Sequence, residues 1–388
     1  MISDTPIADT QPASQRRFCA EWEPQRSVVL SLPDATMDWA YMLEEVRGCY
    51  REILRNLIYA GSHVTVLANS IREARRVFGS LPQQSVSYLE VPLNDTWVRD
   101  YGPLSVEETA SIKPQGEDAA TPQGENAAEA GAEEPSLRHR MLSLDFGFNG
   151  WGLKFAADRD NLANLRLKDR SPFSEGAYEN CRGFVLEGGS VETDGHGTIL
   201  TTTRCLCSPN RNGGLSKPQI ERILAEKLGA RRVLWLDHGA LSGDDTDSHI
   251  DTLARLCPGD TILYAGPPAD ETDEQYEELT LMRRELQELT TAEGKPYNLI
   301  ELPLPNPVLD PDDGHRLPAT YTNYLVTGNA VLVPLYGQPR LDSLALKLIR
   351  LAFPDRQVSG IDCRALIRQH GSLHCATMQL TSLPETLL

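Results

Sequence analysis

Positive charge is scarce in this 388-residue chain: 37 lysines and arginines face 55 aspartates and glutamates, a formal charge of −18. That balance disfavours nucleic acid and anionic membrane surfaces as partners, since both would repel it. It modestly favours a cationic small molecule, although solubility alone would also explain it. No apolar run approaches the roughly 20 residues that a membrane helix needs. The first residues, Met1-Ile2-Ser3-Asp4-Thr5-Pro6, lack the apolar stretch of a secretory signal. Eight cysteines in a chain of this length do not make a disulfide framework, so a reducing cytoplasm is the expected location. No Gly-x-Gly-x-x-Gly follows a strand pattern and no P-loop is present, which leaves nucleotide binding without support. Cys205-x-Cys207 and His374-Cys375 have no matching second pair at zinc-ligand spacing, so no metal is expected.

What is present is a recurring strand–helix–strand pattern. Apolar residues 28–32 precede an amphipathic run over 39–59 and a second apolar run over 63–67. The same order recurs at 198–202, 218–228 and 233–236, at 261–264, 275–289 and 299–302, and at 331–335, 341–351 and 357–361. A shorter copy spans 71–91, making about five units. The pattern predicts an α/β fold, either a doubly wound sheet or a pseudo-symmetric array. Forty per cent apolar residues supply a sizeable core, and 388 residues could hold one large domain or two or three ordinary ones.

One stretch breaks the pattern. Residues 111–136 contain no aromatic residue, one isoleucine, six acids and an imperfect repeat of Pro-Gln-Gly-Glu. Such a composition cannot bury enough apolar surface to order itself. Its flanks, Leu104-Ser105-Val106 and Met141-Leu142-Ser143-Leu144, alternate like strands, which predicts a disordered acidic insertion at a hairpin tip. An interdomain linker is the alternative.

The chemistry-bearing residues lie far apart in sequence. Asp95 and Asp100 flank Trp97 and Arg99, where a surface ion pair is the plain alternative. Glu187-Gly188-Gly189 reads as a turn. His249 stands between Asp247 and Asp251, and Cys375 lies outside any clear periodicity, so either could be a structural residue. Taken together, a thiol, an imidazole and several carboxylates are the parts needed to attack a planar cation: carboxylates grip a guanidinium, a thiolate attacks it and histidine moves protons.

The segments Asn94-Asp95-Thr96-Trp97-Val98-Arg99-Asp100-Tyr101-Gly102-Pro103, Phe148-Asn149-Gly150-Trp151-Gly152, Leu186-Glu187-Gly188-Gly189-Ser190, Thr246-Asp247-Ser248-His249-Ile250-Asp251 and His374-Cys375 carry a family resemblance. With Ala20-Glu21-Trp22-Glu23-Pro24, Asn210-Arg211-Asn212 and Tyr321-Thr322-Asn323-Tyr324, they resemble agmatine deiminases, a group that also holds the bacterial peptidylarginine deiminases. The resemblance implies a five-bladed α/β propeller, the pentein fold, as a single catalytic domain over 1–388. It also implies hydrolysis of agmatine to N-carbamoylputrescine and ammonia, in putrescine biosynthesis, without metal or organic cofactor. Cys375 then matches the nucleophile, His249 the general acid/base, Glu187 the carboxylate beside it, and Asp100 and Asp251 the guanidinium carboxylates. Trp97 matches a wall for the substrate chain, and Asp245 an acid near its amine. A homodimer is compatible with this resemblance.

Two positions depart from the family pattern. Ser248 stands where a glycine is usual, and Gln369-His370-Gly371-Ser372-Leu373 holds one glycine in a loop that is usually glycine-rich. Other readings keep the motifs but change the outcome: a C-terminal peptidylarginine substrate, an amidinotransferase, or a silent binding protein. Peptidylarginine relatives place arginines near the Phe148–Gly152 segment, where this chain has only Lys154 just beyond. The insertion is expected to be dispensable. Replacing residues 111–136 by a short Gly-Ser turn should leave the thermal midpoint and deiminase activity nearly unchanged; a large loss in either would show it to be an ordered part of the enzyme.

Overall fold

The computed structural model describes residues 14–112 and 136–383. The sequence pattern becomes five sheets of three or four strands plus a two-stranded hairpin among these residues. Each of the five repeats one plan. A first strand runs antiparallel to a second, and a third returns parallel to that second strand. In one sheet Ala254–Cys257 is antiparallel to Thr261–Ala265, the helix Tyr276–Glu288 crosses over, and Asn298–Leu302 returns in parallel. Val191–Thr193, Thr198–Thr202 and Arg232–Leu236 repeat it around the helix Lys217–Leu228, and Leu325–Thr327, Ala330–Leu335 and Gln357–Asp362 around Pro339–Ala352. Parallel return strands require such crossovers, and in these three sheets the crossover is a helix of twelve to fourteen residues.

Local sequence sets these elements. The strand core Val28, Val29 and Leu30 is fully buried, as are Ile262 and Leu263. Before Lys217–Leu228, Ser216 and Gln219 form a reciprocal capping box and Pro218 occupies the first turn.

The fifth unit differs from the sequence expectation. Residues 71–91 form no sheet of their own: Val86–Glu90 is the outer strand of the first sheet, whose order is Thr377–Thr381, Gln25–Ser31, Val64–Ala68, Val86–Glu90. The periodic run was read as a separate copy because a strand extension and a new unit share the same local pattern. The fifth sheet instead comprises Ser14–Phe18, Leu104–Ile112, Ser136–Gly147 and Ala177–Val185. Leu104–Ile112 and Ser136–Gly147 pair antiparallel from Leu104–Leu144 out to Ile112–Ser136. The expected hairpin therefore exists, and its tip lies outside the described residues. The first sheet is closed by Thr377–Thr381 pairing with Gln25–Ser31, so strands remote in sequence meet. Five such sheets fit the five-bladed arrangement that the resemblance implies. Among the described residues no helix is long and apolar enough to cross a membrane.

Arg255 binds the sheets to one another. Its side chain is buried, with Nε donating to Glu192 at 2.5 Å and Nη2 to Glu21 at 2.6 Å. Nη1 donates to the carbonyls of Thr322 and Tyr324, and the guanidinium stacks 4.6 Å above the Tyr324 ring. Removing one member of a buried ionic cluster strands the opposite charges, at a cost of about 3–5 kcal/mol. Arg255→Met should lower the urea midpoint accordingly, and adding Glu192→Gln should recover part of the loss; an unchanged midpoint in the single variant would refute this role for the cluster.

Candidate active site

The turns that lead into the first strands of the five sheets converge. The short helix Val98–Tyr101 carries Asp100 ahead of Leu104–Ile112, and Glu187 with Gly188–Ser190 precedes Val191–Thr193. His249 and Ile250–Thr252 precede Ala254–Cys257, Asn323 precedes Leu325–Thr327, and Cys375 precedes Thr377–Thr381. One repeated position in the fold thus supplies every reactive group that the sequence nominated at depth.

Cys375 is 6% exposed. Asn323 Nδ2 donates to its Sγ at 3.2 Å, and Sγ lies 3.8 Å from Asp251 Oδ2. Burial, reinforced by the charges of Asp251 and Asp100, raises the thiol pKa well above its ordinary value. Burial and these acids therefore favour the neutral thiol form of Cys375.

The two carboxylates are oriented differently. Asp100 accepts from Trp151 Nε1 at 2.8 Å and from the Gly189 amide at 3.0 Å, and burial pushes its pKa up. Asp251 Oδ2 lies 2.7 Å from His374 Nδ1, whereas its Oδ1 has no hydrogen bond among the described residues. Burial opposes its charge, but His374 outweighs that cost and lowers the pKa. A glycine is required between them. A Cβ on Gly189 would stand 2.7 Å from His249 Nδ1, 2.9 Å from Asp100 Oδ1 and 3.0 Å from Asp251 Oδ2.

His249 is fully buried, and neither ring nitrogen has a hydrogen-bond partner among the described residues; Nδ1 lies 3.6 Å from Asp100 Oδ1. Burial works against the imidazolium, but Asp100, Cys205 and Glu187 outweigh it and raise the pKa well above the usual histidine range. Glu187 and Cys205 each bring a ligand atom into one group with His249, all within 4.8 Å. Both Glu187 oxygens accept from Arg211 Nε, at 2.9 and 3.0 Å, which places a fixed positive charge there and disfavours a metal cation.

From this centre a cleft opens to the surface. Trp97, Trp151, Phe155 and Gly371 form its apolar lining, while Asp38, Asp95, Asp245, Gln369 and His370 stand among its polar groups. A Cβ on Gly371 would strike the Trp97 ring, which explains why that one glycine is present in the loop. Burial pushes the pKa values of Asp95 and Asp245 up to about 6. Lys154 lies outside this lining and is engaged: its Nζ donates to Asp247 Oδ1 at 2.7 Å and to the Asp245 carbonyl at 2.5 Å.

Cys375, Asp100, Trp97 and Asp245 all line the cleft, and His249, Glu187 and Asp251 surround its inner end. The surface ion pair considered for Arg99 is not formed. Its guanidinium is buried and turned away, donating to Gln379 Oε1 at 2.5 Å. Arg211, Asn323, Cys205 and Trp151 were not assigned roles from sequence, although Asn210-Arg211-Asn212 and Tyr321–Tyr324 were visible as motifs. Ser248 occupies the left-handed region with φ 66°, beside Asp247 with φ 65°. That conformation suits the glycine usual at Ser248's position.

Residues 17–381 match the Porphyromonas-type peptidyl-arginine deiminase family. An agmatine deiminase of Medicago truncatula is 30% identical over 378 residues, spanning 93% of this chain and 95% of its own. The structure of C. jejuni agmatine deiminase with substrate bound is 31% identical and superposes with a TM-score of 0.80, covering 98% of this chain and 99% of that one. A Porphyromonas gingivalis protein described as an arginine deiminase candidate is 44% identical, with a TM-score of 0.79 over 95% of this chain and 99% of its own. A match spanning nearly all described residues, on an α/β fold and a site of this composition, settles the kinship: the chain belongs to the Porphyromonas-type peptidyl-arginine deiminase family and is an agmatine deiminase-like hydrolase of C–N bonds.

Proposed function

We propose that the chain converts agmatine and water to N-carbamoylputrescine and ammonia through a thiouronium on Cys375. The observation that carries this reading is the charge of the cleft. Its lining includes Asp38, Asp95, Asp100 and Asp245 and no lysine or arginine among the described residues. Agmatine carries a guanidinium and an ammonium with an apolar chain between, which matches acids at both ends and tryptophan between them.

The guanidinium lies between Asp100 and Asp251, whose carboxylates hold it planar and aligned. Its charge offsets theirs, so the Cys375 proton is released more readily than in the free enzyme. Sulfur attacks the guanidinium carbon and forms a tetrahedral adduct. Imidazolium His249 gives its proton to the departing nitrogen, the C–N bond breaks and ammonia leaves. His249, now neutral, takes a proton from water as the oxygen attacks the thiouronium carbon. The C–S bond then breaks, the hydroxyl proton passes to the departing sulfur, and the neutral ureido product and the Cys375 thiol are released. Arg211 fixes the position of Glu187, and the charge of Glu187 favours the imidazolium of the first step.

The peptidylarginine alternative needs a cation for the substrate carboxylate. Lys154 is the cation nearest in sequence to the Phe148–Gly152 segment, and its ammonium is held by Asp247. A reducing cytoplasmic location and a role in putrescine formation accord with this chemistry.

Cys375→Ser should reduce turnover to less than about 1% of wild type while preserving the circular dichroism spectrum. Substantial ureido production by that variant would sink the nucleophile assignment. Agmatine should be processed at least about tenfold more efficiently than free arginine, as kcat/KM. Superior turnover of arginine or a C-terminal arginine peptide would reverse the substrate reading. Asp245 is charged above about pH 6 and neutral below it, so the KM for agmatine should rise as pH falls through that value. Asp245→Asn should raise KM at neutral pH and flatten this acid limb, leaving the smaller effect of Asp95. An unaltered KM–pH profile would exclude Asp245 from the amine site.

A further inference from the structure

His370 belongs to none of the reactive turns, yet it lines the cleft beside Asp245. It follows the turn Leu366–Gln369 in the left-handed region, with φ 64°, a conformation that is uncommon for a residue with a side chain. Its ring is fixed on two sides. Nδ1 lies 2.8 Å from the carbonyl of Gly243, two residues before Asp245, and the His315 ring stacks on it at 5.8 Å and 28°. A carbonyl can only accept, so Nδ1 carries the proton. In that tautomer Nε2 is the ring's acceptor atom, and it makes no hydrogen bond among the described residues. The contact with Gly243 ties His370 to the segment that carries Asp245.

We propose that His370 is a specificity-determining residue: its Nε2 accepts one N–H of the substrate's distal ammonium while the Asp245 carboxylate accepts another. This rests on the agmatine reading above. An ammonium has three N–H groups to satisfy and no lone pair, so a carboxylate beside an imidazole nitrogen that accepts is a complementary acceptor pair. A carboxylate in the same place would meet two acceptors and no donor. His370 thus contributes both to affinity for a primary amine and to rejection of an α-carboxylate.

The test compares agmatine with pentylguanidine, in which a methyl group replaces the amine, on the full-length enzyme. His370→Gly removes the ring and tolerates the left-handed φ, so backbone strain does not confound it. The variant should lose roughly five- to tenfold in kcat/KM for agmatine, mainly through KM, the scale of one charge-assisted hydrogen bond. Pentylguanidine should change by less than about twofold, because the lost group has no partner on it. His370→Gln, which restores an acceptor oxygen, should recover part of the agmatine loss but leave pentylguanidine unaffected. Equal losses on both substrates would show a merely structural role and overturn the proposal, as would no loss on agmatine. Wild-type preference for arginine over agmatine would bring down the substrate reading and this proposal with it, whereas intact agmatine preference with equal variant losses would bring down His370 alone.

Discussion

A single buried guanidinium underlies the architecture. Arg255 stands on the first strand of one sheet and reaches Glu192 on a second, the Thr322 and Tyr324 carbonyls leading into a third, and Glu21 at the entry to the first. Its Nη2 also lies 3.1 Å from His374 Nε2, next to Cys375 in sequence. Charges taken out of water are costly unless each finds its partner. The central cluster therefore admits few arrangements of the sheets, and those few set where the reactive turns end. His374 transmits this constraint, since its other ring nitrogen meets Asp251.

Around that frame the carboxylates divide by their partners. Glu187 is engaged by Arg211 and acts through the field it exerts on His249. Asp100 is held by a tryptophan and a backbone amide, which orient it without neutralising it. Asp251 keeps one oxygen without a partner among the described residues. All three are carboxylates in the sequence, and the difference lies in whether an arginine, neutral donors or a single histidine stands opposite.

Much of this was legible from the chain. The crossover helices and return strands of four sheets appear where the hydrophobic period changes, because amphipathic helices and buried strands leave distinct local patterns. The motifs around Asp100, Glu187, His249 and Cys375 stood out through their resemblance to a known family. What stayed hidden was non-local. Nothing near residues 71–91 says that they extend an existing sheet, and nothing near Ser14 says that it pairs with Ala110 across the molecule. Arg211 offered a motif but no role, since its meaning depends on Glu187 twenty-four positions away meeting it in space. His370 looked like a departure from a loop pattern, and only its place at the cleft mouth gives it significance.

The seam between Thr377–Thr381 and Gln25–Ser31 carries a kinetic implication. Their pairing closes a loop of some 350 residues, the kind of contact whose entropic cost delays it in folding. Cys375 sits on the turn that enters that strand, while Asp100, Glu187 and His249 sit on turns that enter strands of other sheets. The four groups share one neighbourhood only when the ring of contacts is complete. A chain caught in partial assembly would carry its thiol apart from the acids and the imidazole that make it selective, so ring closure itself serves as the enzyme's licence to react.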